Sequence, residues 1–169
     1  MRVARLSVLF VFAWSCCAEA TSEQMQAAYL CRFLDFVEWP PTVFDSSRTL
    51  TLCVIGNQTL TRVLEGLAPG VSVSGRSIVI RQVADPKQAK ACQVLFLTGR
   101  RQTVAKQLAD LQLAPILTVS DIPTFGNDGG IITFYLKNGH LLFDINVENA
   151  KRRKLSISSQ LLQLSSGVQ

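Results

Sequence analysis

The chain has 169 residues, which is room for one ordinary domain. Hydrophobic residues make up 48% and charged residues 17%, which excludes a chain disordered throughout, and 10 glycines with 6 prolines exclude collagen-like and proline-rich classes. Lys and Arg number 17 against 12 Asp and Glu, and the net charge of +5 permits an acidic partner without identifying one.

Arg2 and Arg5 precede an apolar run from Leu6 to Trp14, and Ala18-Glu19-Ala20 follows as a small-residue cleavage motif. The pattern predicts a signal peptide over residues 1–20, cleaved after Ala20, and an exported, periplasmic domain over residues 21–169. The apolar run is about nine residues, well short of the roughly 20 that span a bilayer as a helix. Cleavage removes Cys16 and Cys17. The mature chain keeps Cys31, Cys53 and Cys92 in an oxidising compartment, where two pair and one is left over.

Thr21 and Gln24 stand three apart as a capping box and open a predicted helix from about Ser22 to Glu38, which Pro40-Pro41 must end. Met25, Tyr29, Phe33 and Phe36 share one face of it and Leu30, Leu34 and Val37 another, so the helix is largely buried. The run Thr49–Gly56 reads as a strand, followed by a short helix around Gln58–Leu67. Ser77–Val83 is a second strand, and Pro86–Ala91 starts a short helix. Cys92–Thr98 is a third strand, Arg101–Leu111 a helix, and Pro115–Ser120 a fourth strand. Strands alternating with helices predict parallel units in a sheet covered on both faces.

The pattern then changes. Ile131–Leu136 and His140–Ile145 flank Lys137-Asn138-Gly139, and Asn-Gly is a strong type I′ hairpin signal because both central residues need positive φ. Asn146–Arg153 and Ser158–Leu164 finish the chain as helical pieces. The expected fold is α/β: a single compact domain with a mostly parallel mixed sheet flanked by helices, closed by a C-terminal antiparallel β-hairpin.

Enzymatic signatures are sparse. His140 is the only histidine and sits just after a turn, and no cysteine or histidine spacing suits a protein-built zinc site. No phosphate-cradling glycine motif follows a strand. Gly70-Val71-Ser72-Val73-Ser74 falls one residue short of a nucleophile elbow and reads as a solvent loop. Asp121, Asp128, Asp144 and Glu148 are scattered as caps and turn residues are. The reading is a protein that is not an enzyme and carries no cofactor and no metal. Lys151-Arg152-Arg153-Lys154 matches a helix C-terminal dipole and reads as a solvated face; an exported chain with no aromatic platform beside that run makes nucleic acid an unfit partner.

In a doubly wound sheet the first and third strands become neighbours, and Cys53 lies in the first while Cys92 starts the third, so their pairing is geometrically credible. Such a bond is a structural staple or, more sharply, a redox-responsive latch. Cys31, within the apolar helix, reads as a buried free thiol.

The residues stand in a recognisable order: Phe33, then Phe36-Val37-Glu38-Trp39-Pro40; Leu52-Cys53-Val54-Ile55-Gly56; Cys92 and Val94-Leu95-Phe96-Leu97; Leu117-Thr118-Val119-Ser120-Asp121; Phe125 with Gly129-Gly130; Phe143-Asp144-Ile145-Asn146; and Leu155, Ile157-Ser158-Ser159 and Leu161-Leu162. That succession resembles the YfiR-like family of periplasmic proteins over nearly the whole mature chain. The resemblance implies a compact α/β domain that often dimerises, without catalytic activity. It further implies repression of an inner-membrane diguanylate cyclase through that enzyme's periplasmic sensor region, lowering cyclic di-GMP output. It places Cys53 and Cys92 at the positions of the family's shared disulfide. Where the family's best-known system has a second disulfide near the hairpin, this chain has Gly126-Asn127-Asp128-Gly129-Gly130, so a single bond is left to do any sensing.

Trp39 beside two prolines and Phe125 in a glycine-bearing loop are aromatic groups at element ends, suited to anchor a membrane partner; local packing is the competing and favoured reading. Asn146 is a natural N-cap, and Asp144 is the polar residue singled out for a partner- or ligand-facing groove. A periplasmic small-molecule-binding module serving a membrane sensor or transporter is the alternative, because a pocket at the carboxyl ends of the strands would suit it.

Overall fold

The structure is a computed structural model and describes residues 20–44 and 48–168. The expected signal peptide lies outside the described residues except for Ala20. Helix α1 spans Ser22–Phe33, and its start is the capping box read from the sequence: the Gln24 amide donates to Thr21 Oγ1 at 3.3 Å and the Thr21 amide to Gln24 Oε1 at 2.8 Å. It stops earlier than Glu38. The Asp35 and Phe36 amides turn back onto the Arg32 and Phe33 carbonyls, and the short strand β1, Val37–Glu38, pairs antiparallel with β9, Ser156–Ile157. A two-residue strand has no periodicity to announce it, which is why the helical pattern runs through it in the sequence.

The remaining strands are β2 (Thr49–Ile55), β3 (Ser72–Val73), β4 (Arg76–Gln82), β5 (Val94–Leu97), β6 (Leu117–Ser120), β7 (Ile132–Lys137), β8 (His140–Ile145) and β10 (Gly167–Val168). They form one sheet of order β10-β8-β7-β6-β5-β2-β4-β3. The run from β4 through β2, β5 and β6 to β7 is parallel, and β8 returns antiparallel to β7. The expected architecture therefore holds, and the expected hairpin turns at Asn138 and Gly139 with φ of +52° and +77°. The segment read as a solvent loop holds a second, smaller hairpin instead. Ser74 and Gly75, at φ of +51° and +76°, join β3 to β4.

Side chains along the central strands alternate between two cores, as the period-two pleat requires. Leu50, Leu52 and Val54 of β2, Val94 and Phe96 of β5, and Leu117 and Val119 of β6 join a core containing α1 and α2 (Gln58–Leu67). Cys53, Ile55, Leu95 and Leu97 point into the opposite core with Val104 and Leu108 of α3 (Arg101–Asp110) and with Leu111. Both faces are covered, so these strands read as continuous apolar runs. In the first core the Phe33 ring lies 5.0 Å from that of Phe143 and 5.7 Å from that of Phe134, which seats α1 on the β7–β8 hairpin.

The expected helices at the C-terminus are short: α4 spans Val147–Arg152 and α5 Ser159–Leu164, capped by Asn146 and Ser158. The segment Pro86–Ala91 is a 3-10 helix rather than an α-helix. One part of the basic run departs from the solvated-face reading. Lys151, Arg152 and Lys154 are exposed, but Arg153, at the C-cap of α4, is only 4% exposed.

Phe125 is 1% exposed and its ring covers Gly130, where an added Cβ would fall inside the ring. Gly130→Ala is expected to destabilise the domain by about 1–3 kcal/mol in urea unfolding, the usual cost of forcing an extra methyl into a packed core. Adding Phe125→Leu is expected to recover part of that loss, since the two positions share one volume.

Candidate functional site

Three places carry the residues that the sequence singles out. The first is the seam between β2 and β5. Cys53 pairs in register with Leu95, and Cys92 precedes β5 at the end of the 3-10 turn, its amide donating to the Ala89 carbonyl at 2.9 Å. The two half-cystines are bonded with a Cα–Cα distance of 6.0 Å and a separation of 39 residues, and both are buried. Closing a loop of that length restricts the unfolded chain by about 4 kcal/mol in the loop-entropy picture. Cys31 is free and half-buried; burial, with Asp35 adding a smaller push, raises its thiol pKa and keeps it a poor nucleophile.

The second place is a polar cavity of about 240 Å³ where the hairpin meets the 121–130 loop, lined by Thr124, Asn127, Thr133, Asp144 and Asn146 among others. Leu141, Phe143 and Ile145 of β8 point into the first core, so Asp144 falls on the opposite face by pleat alternation. Thr133 is its direct partner in β7, and the Tyr135 hydroxyl donates to Asp144 Oδ1 at 3.2 Å. Asn146 caps α4 through its Oδ1, which accepts from the Asn149 amide at 2.9 Å. The Asn149 side chain in turn donates to the Gly126 and Gly130 carbonyls, each at 2.7 Å, and fixes the loop against the helix. Across the loop, Arg101 grips Asp128 with two hydrogen bonds of 2.9 and 3.0 Å. That bonding, more than the charge alone, holds the Asp128 carboxyl below the usual range.

The third place surrounds Trp39. Its indole donates to the Gln93 carbonyl at 3.2 Å, its ring meets Phe44 edge-on at 6.0 Å, and the Arg76 guanidinium stacks over Phe44 at 4.2 Å from the ring centroid. Trp39, Phe44 and Arg76 line a cavity of about 230 Å³ with Leu34, Leu50 and Val73. Arg76 Nε is buried there with no protein acceptor among the described residues.

The candidate residues thus divide. Asp144 and Asn146 meet in one cavity, Trp39 stands in another, and Phe125 belongs to neither. The reading of Phe125 as a docking anchor gives way to packing, because its ring fills the second core and presents no surface to a partner.

The YfiR/HmsC-like family profile matches residues 23–166. The chain belongs to the YfiR/HmsC-like family. Among solved structures, a conserved domain protein from Vibrio cholerae O1 biovar El Tor strain N16961 superposes with a TM-score of 0.54 at 11% identity, a likeness of fold alone. The alignment covers 88% of this chain and 60% of that one, so this chain corresponds to only part of the longer protein. No curated protein matches significantly.

Within this YfiR/HmsC-like domain, sequence reasoning missed Phe44, Arg76, Gln93 and Tyr135. The Ser74-Gly75 turn was the one available signal for Arg76, since it folds that residue back beside Val73. Nothing local marks Gln93, whose carbonyl receives Trp39 while its Oε1 accepts the Thr51 amide at 2.7 Å.

Asn149→Ala would strip two backbone carbonyls of their shared donor at a buried position. The Gly126 carbonyl keeps the Gly129 amide at 3.3 Å, so the expected loss of about 1–3 kcal/mol in chemical denaturation is the penalty for orphaning the buried Gly130 carbonyl. Faster hydrogen exchange confined to residues 121–130 is expected with it.

Proposed function

We propose that this protein is a periplasmic regulator that binds the sensor region of an inner-membrane diguanylate cyclase and lowers cyclic di-GMP output. The observation that carries the reading is membership of the YfiR/HmsC-like family across residues 23–166, a family of regulatory, non-catalytic proteins. The physics is inhibition by association: the folded domain presents a surface, and its state matters only through a difference in affinity for the partner.

The Cys53–Cys92 bond supports a redox-responsive form of this mechanism. It ties β2 to the segment that enters β5, so its reduction would lower the population of the folded, binding-competent domain. Burial of both cysteines favours slow reduction and a staple that responds to damage rather than to rapid signalling. Trp39 and Asp144 are the side chains we assign to partner contact, Trp39 as a half-buried aromatic beside Arg76 and Asp144 as the carboxylate of the hairpin's outer face. Asn146 supports Asp144 by capping the helix that follows. The cavities holding these residues are smaller than the roughly 300–1,000 Å³ of pockets for drug-sized ligands, which favours a protein partner over a drug-sized ligand at these two places. A homodimer is part of the proposal.

Deletion of the gene is expected to raise cellular cyclic di-GMP, and Cys53→Ser to weaken repression or lower the amount of protein. Unchanged cyclic di-GMP in the deletion strain, with the protein demonstrably expressed in its parent, would count against the regulator reading. A Cys53→Ser chain that is fully abundant and fully repressing would remove the disulfide from the mechanism.

A further inference from the structure

Arg153 is the only charged residue that is buried among the described residues. Its exposure is 4%, one guanidinium nitrogen donates to the Ala114 carbonyl at 3.3 Å, and it takes part in no ion pair among the described residues. A guanidinium offers five donors and keeps its charge at physiological pH, so a single carbonyl leaves donors to spare, and no Arg153 nitrogen is among the side-chain atoms sealed from solvent without a partner. Burial pulls its pKa below the ordinary arginine value, the sign of a cation held without a counter-charge.

Arg153 lines a cavity of about 250 Å³ between α3 and α4, together with Arg152, Asp128, Gln112, Leu108 and Leu113. Asp128 does not neutralise this cavity, because both of its oxygens are engaged by Arg101 from outside. The lining thus combines two arginines with two leucines, and Leu113 is 64% exposed at the surface. We propose that this cavity binds a small organic carboxylate, whose charged end meets Arg153 with Arg152 as the second cation and whose apolar body lies against Leu108 and Leu113. The planar guanidinium suits a carboxylate's paired oxygens. The site is separate from the surfaces assigned to the membrane partner, and its test does not depend on them.

Purified mature protein would be titrated with sodium benzoate, sodium acetate and inorganic phosphate at matched ionic strength, with thermal unfolding and calorimetry as readouts. Benzoate is expected to raise Tm saturably, by about 5–10 °C at a hundredfold excess over Kd, and to bind more tightly than acetate. Arg153→Met is expected to abolish the shift while keeping or raising Tm in anion-free buffer, as replacement of a buried unpaired charge by an apolar chain of similar length does. Leu113→Asp, at an exposed position that leaves the fold intact, is expected to weaken benzoate at least tenfold by repulsion. No saturable benzoate effect, an effect that survives both substitutions, or a response to phosphate alone would overturn the proposal.

Discussion

The bond between Cys53 and Cys92 fastens β2 to β5, and the rest of the domain is arranged about that seam. β2 is bonded to β4 on one side and β5 on the other, with register pairs running from Thr49 to Ile55, so it carries side chains of both cores. A parallel sheet of this kind is built from contacts distant in sequence, and the loop entropy that opposes them is reduced when one covalent link spans α2, β3 and β4. Such a link persists in an oxidising compartment.

Away from the seam, the 121–130 loop beside the hairpin is held largely by polar contacts. The 121–130 loop has Phe125 as its apolar plug, but its position relative to α4 is set by the Asn149 side chain, which donates to the Gly126 and Gly130 carbonyls, and relative to α3 by the Arg101–Asp128 pair. The pair is largely solvent-exposed, so its contribution to stability is small and screened by salt. The amide network is the stronger constraint, because the Gly130 carbonyl is buried and has no water to turn to. The loop wall of the cavity of Asp144 and Asn146 is therefore held by a residue outside it, Asn149, whose side chain bonds the loop while its backbone amide donates to the Asn146 cap.

Much of this fold is legible in the sequence for definite reasons. Apolar runs bounded by Gly56 and by Pro115 mark strands buried on two faces, Asn138-Gly139 selects one turn type, and Thr21 and Asn146 announce helix starts by their own hydrogen bonds. The pairing of Cys53 with Cys92 is credible once the first and third strands are neighbours, and the family resemblance implies it. Two-residue strands such as β1, β9 and β10 lack a pattern because their pairing is decided by tertiary proximity alone. Arg153 escapes notice because three neighbouring cations obey the surface rule that it breaks, and Phe125 reads as a loop tip although its loop folds inward over Gly130. The candidate residues were found one by one, but their division between two cavities depends on pleat direction and on partners such as Gln93 and Tyr135 that carry no local signal.

Hydrogen exchange of the β2 and β5 amides, measured in oxidised protein and after reduction of the disulfide, bears most directly on the primacy of the seam. The slowest amides of residues 52–55 and 94–97 are expected to lose protection by a factor of about 10²–10³ on reduction, in keeping with the loop-entropy contribution of the bond. Equal protection in the two states would contradict the account, since it would mean that the sheet holds its centre without the bond.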